Sequence, residues 1–228
     1  MNSPVRRLTP ATLRVKSRSG TAPAEQATEK WLRTDADTYY QVCLKYPRLA
    51  LFHSYPEFLH ACLLEADPQV TCFIPQPYRL QVGKKTYYPD CYLVRGGERL
   101  VREIHNPATF PEAKLLAVSE FFRRQGITFE LIDNATVLAE EIRARNWLDI
   151  IQWLCSATGW DTARVEEDLY DRITAEPGVI LHDLVKEADP MRGHMLRTAL
   201  YRLLHQGRVR AGLDHAPLDV DTAFLPCP

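Results

Sequence analysis

Alternating apolar and polar residues predict β-strands through the first 135 residues of the chain. The predicted strands cover residues 70–74, 78–82, 86–88, 91–94, 100–104 and 127–132. Two helices are predicted around them: Ser54 caps one, with Pro56 and Glu57 in its first turn, and the other spans residues 112–124. Helix, antiparallel strands, helix and strand in this order predict an α/β fold with a mixed β-sheet flanked by helices.

Helical periodicity dominates the remaining residues. Residues 146–157 and 161–174 predict two helices, and a shorter helix at 180–188 precedes a longer one at 191–206. Gly207 then opens a predicted hairpin, an order typical of a winged helix-turn-helix domain. We therefore divide the chain into a basic arm at 1–28, an α/β domain at 29–138 and a mostly helical winged-helix domain at 139–228.

Charge is segregated along the chain, although the net charge of −1 excludes a globally basic nucleic-acid binder. Residues 1–20 hold five basic and no acidic residues, and residues 190–210 hold five arginines and no acidic residue. Residues 131–189 carry thirteen acidic and five basic residues. The basic segments are either solvated faces or phosphate-binding surfaces. The candidate DNA contacts within them are Arg14, Lys16, Arg18, Arg197 and Arg202.

Several classes of protein are excluded by what the sequence lacks. No apolar run approaches the roughly 18 residues of a membrane span. The basic N-terminal segment is not followed by an apolar stretch, so we expect an intracellular protein without a signal peptide. The six cysteines lack the paired spacing of a zinc site, and we expect them to be free thiols.

Acidic residues recur on neighbouring predicted elements. Glu57 lies on the first helix, Asp90 follows Pro89, and Glu103 lies two residues before His105 on a strand, so that Glu103 and His105 should face the same side. Because proline cannot donate to a sheet, strand pairing should open beside Asp90. Three such carboxylates can hold a hard cation that activates water for attack on a phosphate.

Each of these residues also has a purely structural interpretation. Glu57 alone can complete a capping box, and an acidic residue after proline is common in turns. Glu103 and His105 can be a solvent-facing pair at a sheet edge. The tryptophans of the linking helices are better explained as core residues than as base-stacking groups; they are Trp147, Trp153 and Trp160.

The order of the acidic residues resembles the PD-(D/E)xK pattern of restriction-endonuclease-like nucleases. More narrowly, the chain from about Leu49 onward resembles the TnsA family, the endonuclease subunits of heteromeric transposases. In the nuclease part the resemblance rests on SYPEFLHACLLEADPQVTCFIPQPYRL, YYPD, LVREIH and ITFELID. In the winged-helix part it rests on VILHDLVKEAD and LRTALYRLLHQGRVRAGLDHAPLDVDTAF.

The resemblance implies a specific activity and specific partners. It implies a bacterial cytoplasmic endonuclease that cuts one strand of double-stranded DNA at transposon ends, with Mg²⁺ or Mn²⁺ held by Glu57, Asp90 and Glu103. It also implies two protein partners, a DDE-type transposase and an AAA+ ATPase regulator, and no association with a membrane.

His105 departs from the family pattern, which has lysine at this position. Histidine can serve as a base, ligate the metal or do neither, and Lys114 on the following helix can replace the missing amine. The catalytic candidates are therefore Glu57, Asp90, Glu103, His105 and Lys114. The alternative is a catalytically degenerate DNA-binding module that recruits the transposase and its ATPase. A transcription regulator is a third hypothesis, but it leaves the carboxylates unexplained.

Overall fold

A computed structural model describes residues 13–26, 37–186 and 189–228. The strands are β1 Val15–Ser17, β2 Tyr39–Val42, β3 Leu49–Phe52, β4 Val70–Pro75, β5 Leu80–Val82, β6 Lys85–Tyr87, β7 Cys91–Arg95, β8 Glu98–Ile104, β9 Thr128–Ile132, β10 Val179–Ile180, β11 Val209–Ala211 and β12 Ala223–Pro226. The helices are α1 Tyr55–Ala66, α2 Glu112–Arg123, α3 Asn134–Ala139, α4 Glu141–Ser156, α5 Ala163–Ala175, α6 Leu181–Val185 and α7 Pro190–His205. None of these helices is both long and apolar enough to cross a membrane.

The central sheet has the strand order β4-β7-β8-β9. Its first three strands are antiparallel, and β9 returns parallel to β8 after α2. Apolar residues of α2 pack on one face, where Val118 and Phe122 are fully buried with Val101. The prediction of a mixed α/β fold is confirmed.

The hairpin β5–β6 does not extend the central sheet. It pairs instead with β1 in a separate three-stranded sheet of order β1-β5-β6. The chain leaves β4 at Gln76, whose φ of +44° turns the backbone. Within the predicted basic arm at 1–28, Val15–Ser17 forms a strand that pairs with Leu80–Val82. Val15 anchors this strand because it packs on the same apolar cluster as Val118 and Phe122.

Helix α1 is shared by both halves of the molecule. One side of α1 packs against the central sheet, with Ala61 and Leu64 in a cluster that includes Phe73 and Leu93. The other side belongs to a larger cluster with α4 and α7; its members include Leu59, Cys62, Trp147, Ile151 and Leu204. The predicted domain boundary at residue 138/139 falls at the end of α3, and the core continues across it.

The C-terminal elements follow the predicted order of a short helix, a longer helix and antiparallel strands. The strands β10, β12 and β11 form one sheet, and β12 pairs with β11 after a loop. Gly207 begins this segment with a φ of +72°, and a Cβ there would lie 2.7 Å from Cγ of Pro68. Helix α6 is shorter than expected, since it ends at Val185, and residues 187–188 lie outside the described part of the chain.

The fully buried carboxylate of Glu65 connects three parts of the fold. Its Oε1 accepts hydrogen bonds from the backbone N–H groups of Leu44 and Lys45, at 2.8 and 2.9 Å, and its Oε2 lies 3.0 Å from Nε2 of His205. The Lys45 ammonium donates to three backbone carbonyls at the end of α1, including that of Leu64. Burial lowers the pKa of Lys45 to about 8. This network fixes the end of α1 against α7.

We expect Glu65→Leu to lower the free energy of unfolding by about 2 kcal/mol, because it leaves two partly buried backbone N–H groups without their acceptor. Glu65→Gln keeps an acceptor oxygen, so its loss should be less than half as large. Urea denaturation of both variants measures the difference. Equal losses would show that the charge of Glu65, and not its acceptor oxygen, stabilises the fold.

Candidate active site

The sheet register places Asp90 opposite Glu103. Cys91 on β7 pairs with Arg102 on β8, so the preceding residue, Asp90, is directly across from the following one, Glu103. Opposed residues of antiparallel strands point to the same side of the sheet. The backbone of Asp90 is held from its other side, since its carbonyl accepts a 2.8 Å hydrogen bond from the N–H of Gln76. The two carboxylates therefore share one environment at the end of the sheet.

Asp90 is the most strongly perturbed acid of this pair. Burial raises the pKa of Asp90 well above its usual range, and the negative charges of Glu103 and Glu57 raise it further. The backbone N–H of Ile104 donates to Oδ2 at 2.8 Å and opposes this change, as does the charge of Lys114. The other carboxylate oxygen of Asp90 makes no hydrogen bond with the described residues.

Glu103 is only 6% exposed and has two side-chain partners. The Tyr87 hydroxyl donates to Oε2 at 2.5 Å, and Nζ of Lys114 lies 3.7 Å from Oε1. Burial raises the pKa of Glu103, while Tyr87 and Lys114 lower it. Tyr87 is a residue that sequence reasoning assigned only to a strand; the available signal was that a tyrosine on an inward-facing strand position needs a partner for its hydroxyl.

Lys114 projects from the first turn of α2 over two aromatic rings. Its Nζ lies 3.5 Å from the ring centroid of Tyr87 and 4.3 Å from that of Phe110. Burial lowers the pKa of Lys114, whereas Glu103 and Asp90 raise it. The cation therefore lies within ion-pair distance of Glu103 and close enough to Asp90 to influence its pKa.

His105 lies one residue beyond the end of β8 and beside the carboxylates. Its Nδ1 is 2.9 Å from the backbone carbonyl of Asn106, which can only accept, so Nδ1 carries a proton. The neutral ring then keeps a lone pair on Nε2. His105 makes no hydrogen bond to Glu57, Asp90 or Glu103 in the described structure, although its charge lowers the pKa of Glu103.

Glu57 caps α1 and also contributes to the electrostatics of the site. Its Oε1 accepts from the Ser54 hydroxyl at 2.8 Å, and its Oε2 accepts from the His53 N–H at 3.2 Å. Its charge raises the pKa values of both Asp90 and Glu103. The capping interpretation of Glu57 therefore has structural support, and its role as a metal ligand stays a prediction, since both of its oxygens are engaged at the start of α1.

A cavity of about 510 Å³ is lined by Tyr87 and Lys114, the two side-chain partners of Glu103, but not by Glu103 or Asp90 themselves. Aromatic rings of Tyr87 and Phe110 line it together with His105 and Lys114. Two further cations, Lys84 and Lys85 at the tip of the β5–β6 hairpin, lie on its wall. The cavity combines apolar surface with positive charge, a combination suited to part of a nucleotide chain.

The donor chemistry of the pair Asp90 and Glu103 fits Mg²⁺. Within the described residues no group of three or more His, Cys, Asp and Glu side chains is arranged to hold a metal ion. Mg²⁺, however, is commonly bound through one or two carboxylates together with water and substrate phosphate. Two opposed carboxylates with raised pKa values, one buried and one half-buried, would be stabilised in their charged forms by a cation between them.

The predicted DNA contacts divide into two groups. Arg14, Lys16 and Arg18 are exposed on or beside β1. Arg202 instead donates to the Trp160 carbonyl and the Thr162 hydroxyl and pairs with Glu166 at 3.6 Å, so its guanidinium is used inside the fold.

Arg197 also has an internal role, since its guanidinium lies over the rings of Trp153 and Tyr201, 4.8 Å and 5.9 Å from their centroids. Both candidate DNA contacts on α7 thus have contacts inside the fold, and their binding to DNA stays a prediction.

Comparison with models of known protein families gave no match, and comparison with curated proteins gave none. The arrangement of the site residues is therefore the basis for assigning a function.

We expect Asp90→Asn to stabilise the protein at neutral pH. The folded-state pKa of Asp90 is raised, so the wild type loses stability as the pH rises from the unfolded value of 3.8 through the folded pKa. Each tenfold difference in the acid dissociation constant of Asp90 between the folded and unfolded states changes the free energy of unfolding by about 1.4 kcal/mol. The gain should disappear below about pH 4, where wild-type Asp90 is protonated in both states.

Urea denaturation across this pH range measures the effect. Asp168→Asn, an exposed change on α5, is the matched control and should leave the pH profile unchanged. If the free energy of unfolding varies with pH in the same way for Asp90→Asn and wild type, the pKa of Asp90 is not raised in the folded state.

Proposed function

We propose that this protein is a metal-dependent DNA endonuclease, the subunit of a TnsA-like heteromeric transposase that cuts one strand at transposon ends. The observation that carries the proposal is the opposition of Asp90 and Glu103 on paired strands, with Lys114 3.7 Å from Glu103. The element order α1, β4, β7, β8, α2 and β9 is compatible with a restriction-endonuclease-like fold. It supports the resemblance on which the reaction class depends.

Each site residue has a role in this proposal. Asp90 and Glu103 hold Mg²⁺ or Mn²⁺, and Tyr87 fixes the orientation of Glu103. The bound metal supplies activation of a water molecule and neutralisation of charge on the phosphate. Lys114 places a second cation beside the scissile phosphate, and Nε2 of His105 is available to accept a proton. Glu57 fixes the start of α1 and adds negative charge near Asp90.

The C-terminal part is proposed to be a winged-helix domain that contacts protein partners. The order α6, α7, β11 and β12 supports this class. Acidic residues are exposed on α5, among them Glu167, Asp168 and Asp171. We propose that this acidic surface contacts the DDE-type transposase or the AAA+ regulator, and that the assembly works in the bacterial cytoplasm.

The alternative is an assembly module that binds DNA but does not cut it. Two observations favour it: His105 replaces the family lysine, and the oxygens of Glu57 are already occupied by the helix cap. A protein of this kind would keep the fold, the DNA surface and the partner contacts without nuclease activity.

Nicking of supercoiled plasmid with Mg²⁺ or Mn²⁺, alone and with the proposed partner transposase, separates these possibilities. We expect wild type to nick, Asp90→Ala to abolish nicking, and Lys114→Met to slow it on the order of 10²–10³-fold, as for loss of a group that stabilises developing charge. Glu112→Gln, an exposed change on the same helix as Lys114, is the control and should keep the wild-type rate. Wild type that binds no Mn²⁺ and never nicks would decide for the assembly module.

His105→Lys tests whether histidine takes part in the reaction. Because Lys114 already supplies the cation, we expect His105→Lys to retain or raise nicking at neutral pH. It should also flatten any loss of rate at acidic pH that reports protonation of the imidazole. A pH–rate profile of the variant measures both effects, and loss of activity with Asp90 intact would show that His105 acts as a base or a metal ligand.

A further inference from the structure

The small sheet β1-β5-β6 has two chemically different faces. One face is apolar and packs toward α2; Leu80, Val82 and Tyr87 are buried there in a cluster with Val118 and Phe122. In an antiparallel sheet, directly opposed residues share a face. Lys16 opposes Gln81, and Gln81 opposes Thr86, so these three residues lie on the other face.

That other face carries a row of basic residues along β1. Side chains two apart on a strand share a face, which places Arg14 and Arg18 with Lys16. Arg79 joins them opposite Arg18, because the ladder continues through the 2.8 Å hydrogen bond from the Arg18 N–H to the Arg79 carbonyl. We call these four exposed residues, Arg14, Lys16, Arg18 and Arg79, the basic sheet face.

Nothing in the described structure neutralises the basic sheet face. Residues 13–24 and 77–89 contain no acidic residue, and within the described residues none of the four cations has an ion pair within 4 Å. Like charges directly across a sheet are destabilising, and Arg18 and Arg79 are such a pair. An external polyanion would relieve this repulsion.

The basic sheet face leads to the candidate active site. The hairpin tip carries Lys84 and Lys85, which line the same 510 Å³ cavity as Lys114 and His105. Lys85 opposes Val82 and so points to the cavity side of the sheet. Positive charge therefore continues from the outer face of the sheet, around the hairpin tip and into the cavity.

Most arginines near the C-terminus are less available for binding DNA, because they already have partners inside the fold. Arg202 pairs with Glu166, Arg208 pairs with Glu167 at 2.6 Å, and Arg197 lies over Trp153. Two exposed arginines of this segment, Arg192 and Arg210, have no ion pair within the described residues. They are separated in the fold, at the start of α7 and on β11, and do not form a continuous row.

We infer that the basic sheet face binds the phosphate backbone of duplex DNA and guides one strand into the cavity beside Lys114. This inference rests on the proposed function, since it takes DNA as the substrate. Cations two residues apart on a strand are about 6.8 Å apart, which gives a regular row along the backbone. Duplex DNA offers a dense, regular row of charge, about one per 1.7 Å of helix axis.

Duplex binding without divalent metal tests the inference separately from cleavage. Fluorescence anisotropy of a labelled duplex is measured against salt for wild type and for the triple variant Lys16→Gln, Arg18→Gln, Arg79→Gln. Each lost phosphate contact changes the log–log salt slope by about 0.9, so the triple variant should have a slope shallower by about 2–3. The double variant Arg192→Gln, Arg210→Gln removes exposed cations elsewhere and should change the slope by less than one contact.

A variant that retains the charges controls for loss of binding through misfolding. The triple variant Lys16→Arg, Arg18→Lys, Arg79→Lys should keep the wild-type slope, and thermal unfolding should give similar midpoints for all proteins. An unchanged slope in the Gln triple variant, or an equal loss in the Arg192/Arg210 variant, would overturn the inference. Binding of wild type to vesicles of phosphatidylserine but not to duplex DNA would also overturn it, in favour of a membrane surface.

The outcomes remain distinct from those of the nicking experiment. Wild type that binds DNA through the basic sheet face but never nicks supports the inference and rejects the nuclease. Wild type that nicks while the Gln triple variant keeps its full DNA affinity rejects the inference alone.

Discussion

The site depends on one electrostatic constraint: the half-buried carboxylate of Asp90 and the buried carboxylate of Glu103 are opposed across a strand pair. Burial and mutual repulsion both disfavour two charges in this position, and the neighbouring residues offset that cost in part. The Ile104 N–H and the Tyr87 hydroxyl each donate to one carboxylate, and the Lys114 ammonium lies near both. These partners reduce the repulsion without eliminating it, since the pKa values of both acids remain raised.

The frame around the carboxylates keeps them in this unfavourable arrangement. Pro89 precedes Asp90 and cannot donate to a neighbouring strand, while Gln76 adopts positive φ and donates to the Asp90 carbonyl. Helix α1 is held between the sheet and α4, and the Glu65 network fixes its far end to α7. Strain and unpaired charge persist in proteins where surrounding packing overdetermines them, and they cluster at functional sites.

Local sequence signals predicted most of the regular elements, and long-range pairing explains part of what they missed, although the local hairpin β2–β3 and the short helix α3 were also not predicted. The Ser54 cap, the turns at Gly83 and Gly96 and the periodicity of α2 are encoded within a few residues, so the central sheet and its helices could be predicted. The pairing of β1 with β5 joins residues more than sixty positions apart, and no local pattern encodes it. The same limit applies to Arg202, whose partners Trp160 and Thr162 lie about forty residues earlier in the chain.

The same reasoning separates residues that stabilise the fold from residues available for chemistry. Arg202 and Arg208 are satisfied by carboxylates or carbonyls of the chain itself, and Glu57 is satisfied by a helix terminus. Lys16, Arg18 and Arg79 have no such partner within the described residues, and the carboxylates of Asp90 and Glu103 are opposed to each other. Positive charge without an ion-pair partner on one surface, and two carboxylates whose repulsion is only partly offset near it, are compatible with the proposed polyanionic substrate and a cation shared with it. The exposed cations and the opposed carboxylates, unlike Arg202, Arg208 and Glu57, are therefore the groups of this end of the molecule that are left for an external partner.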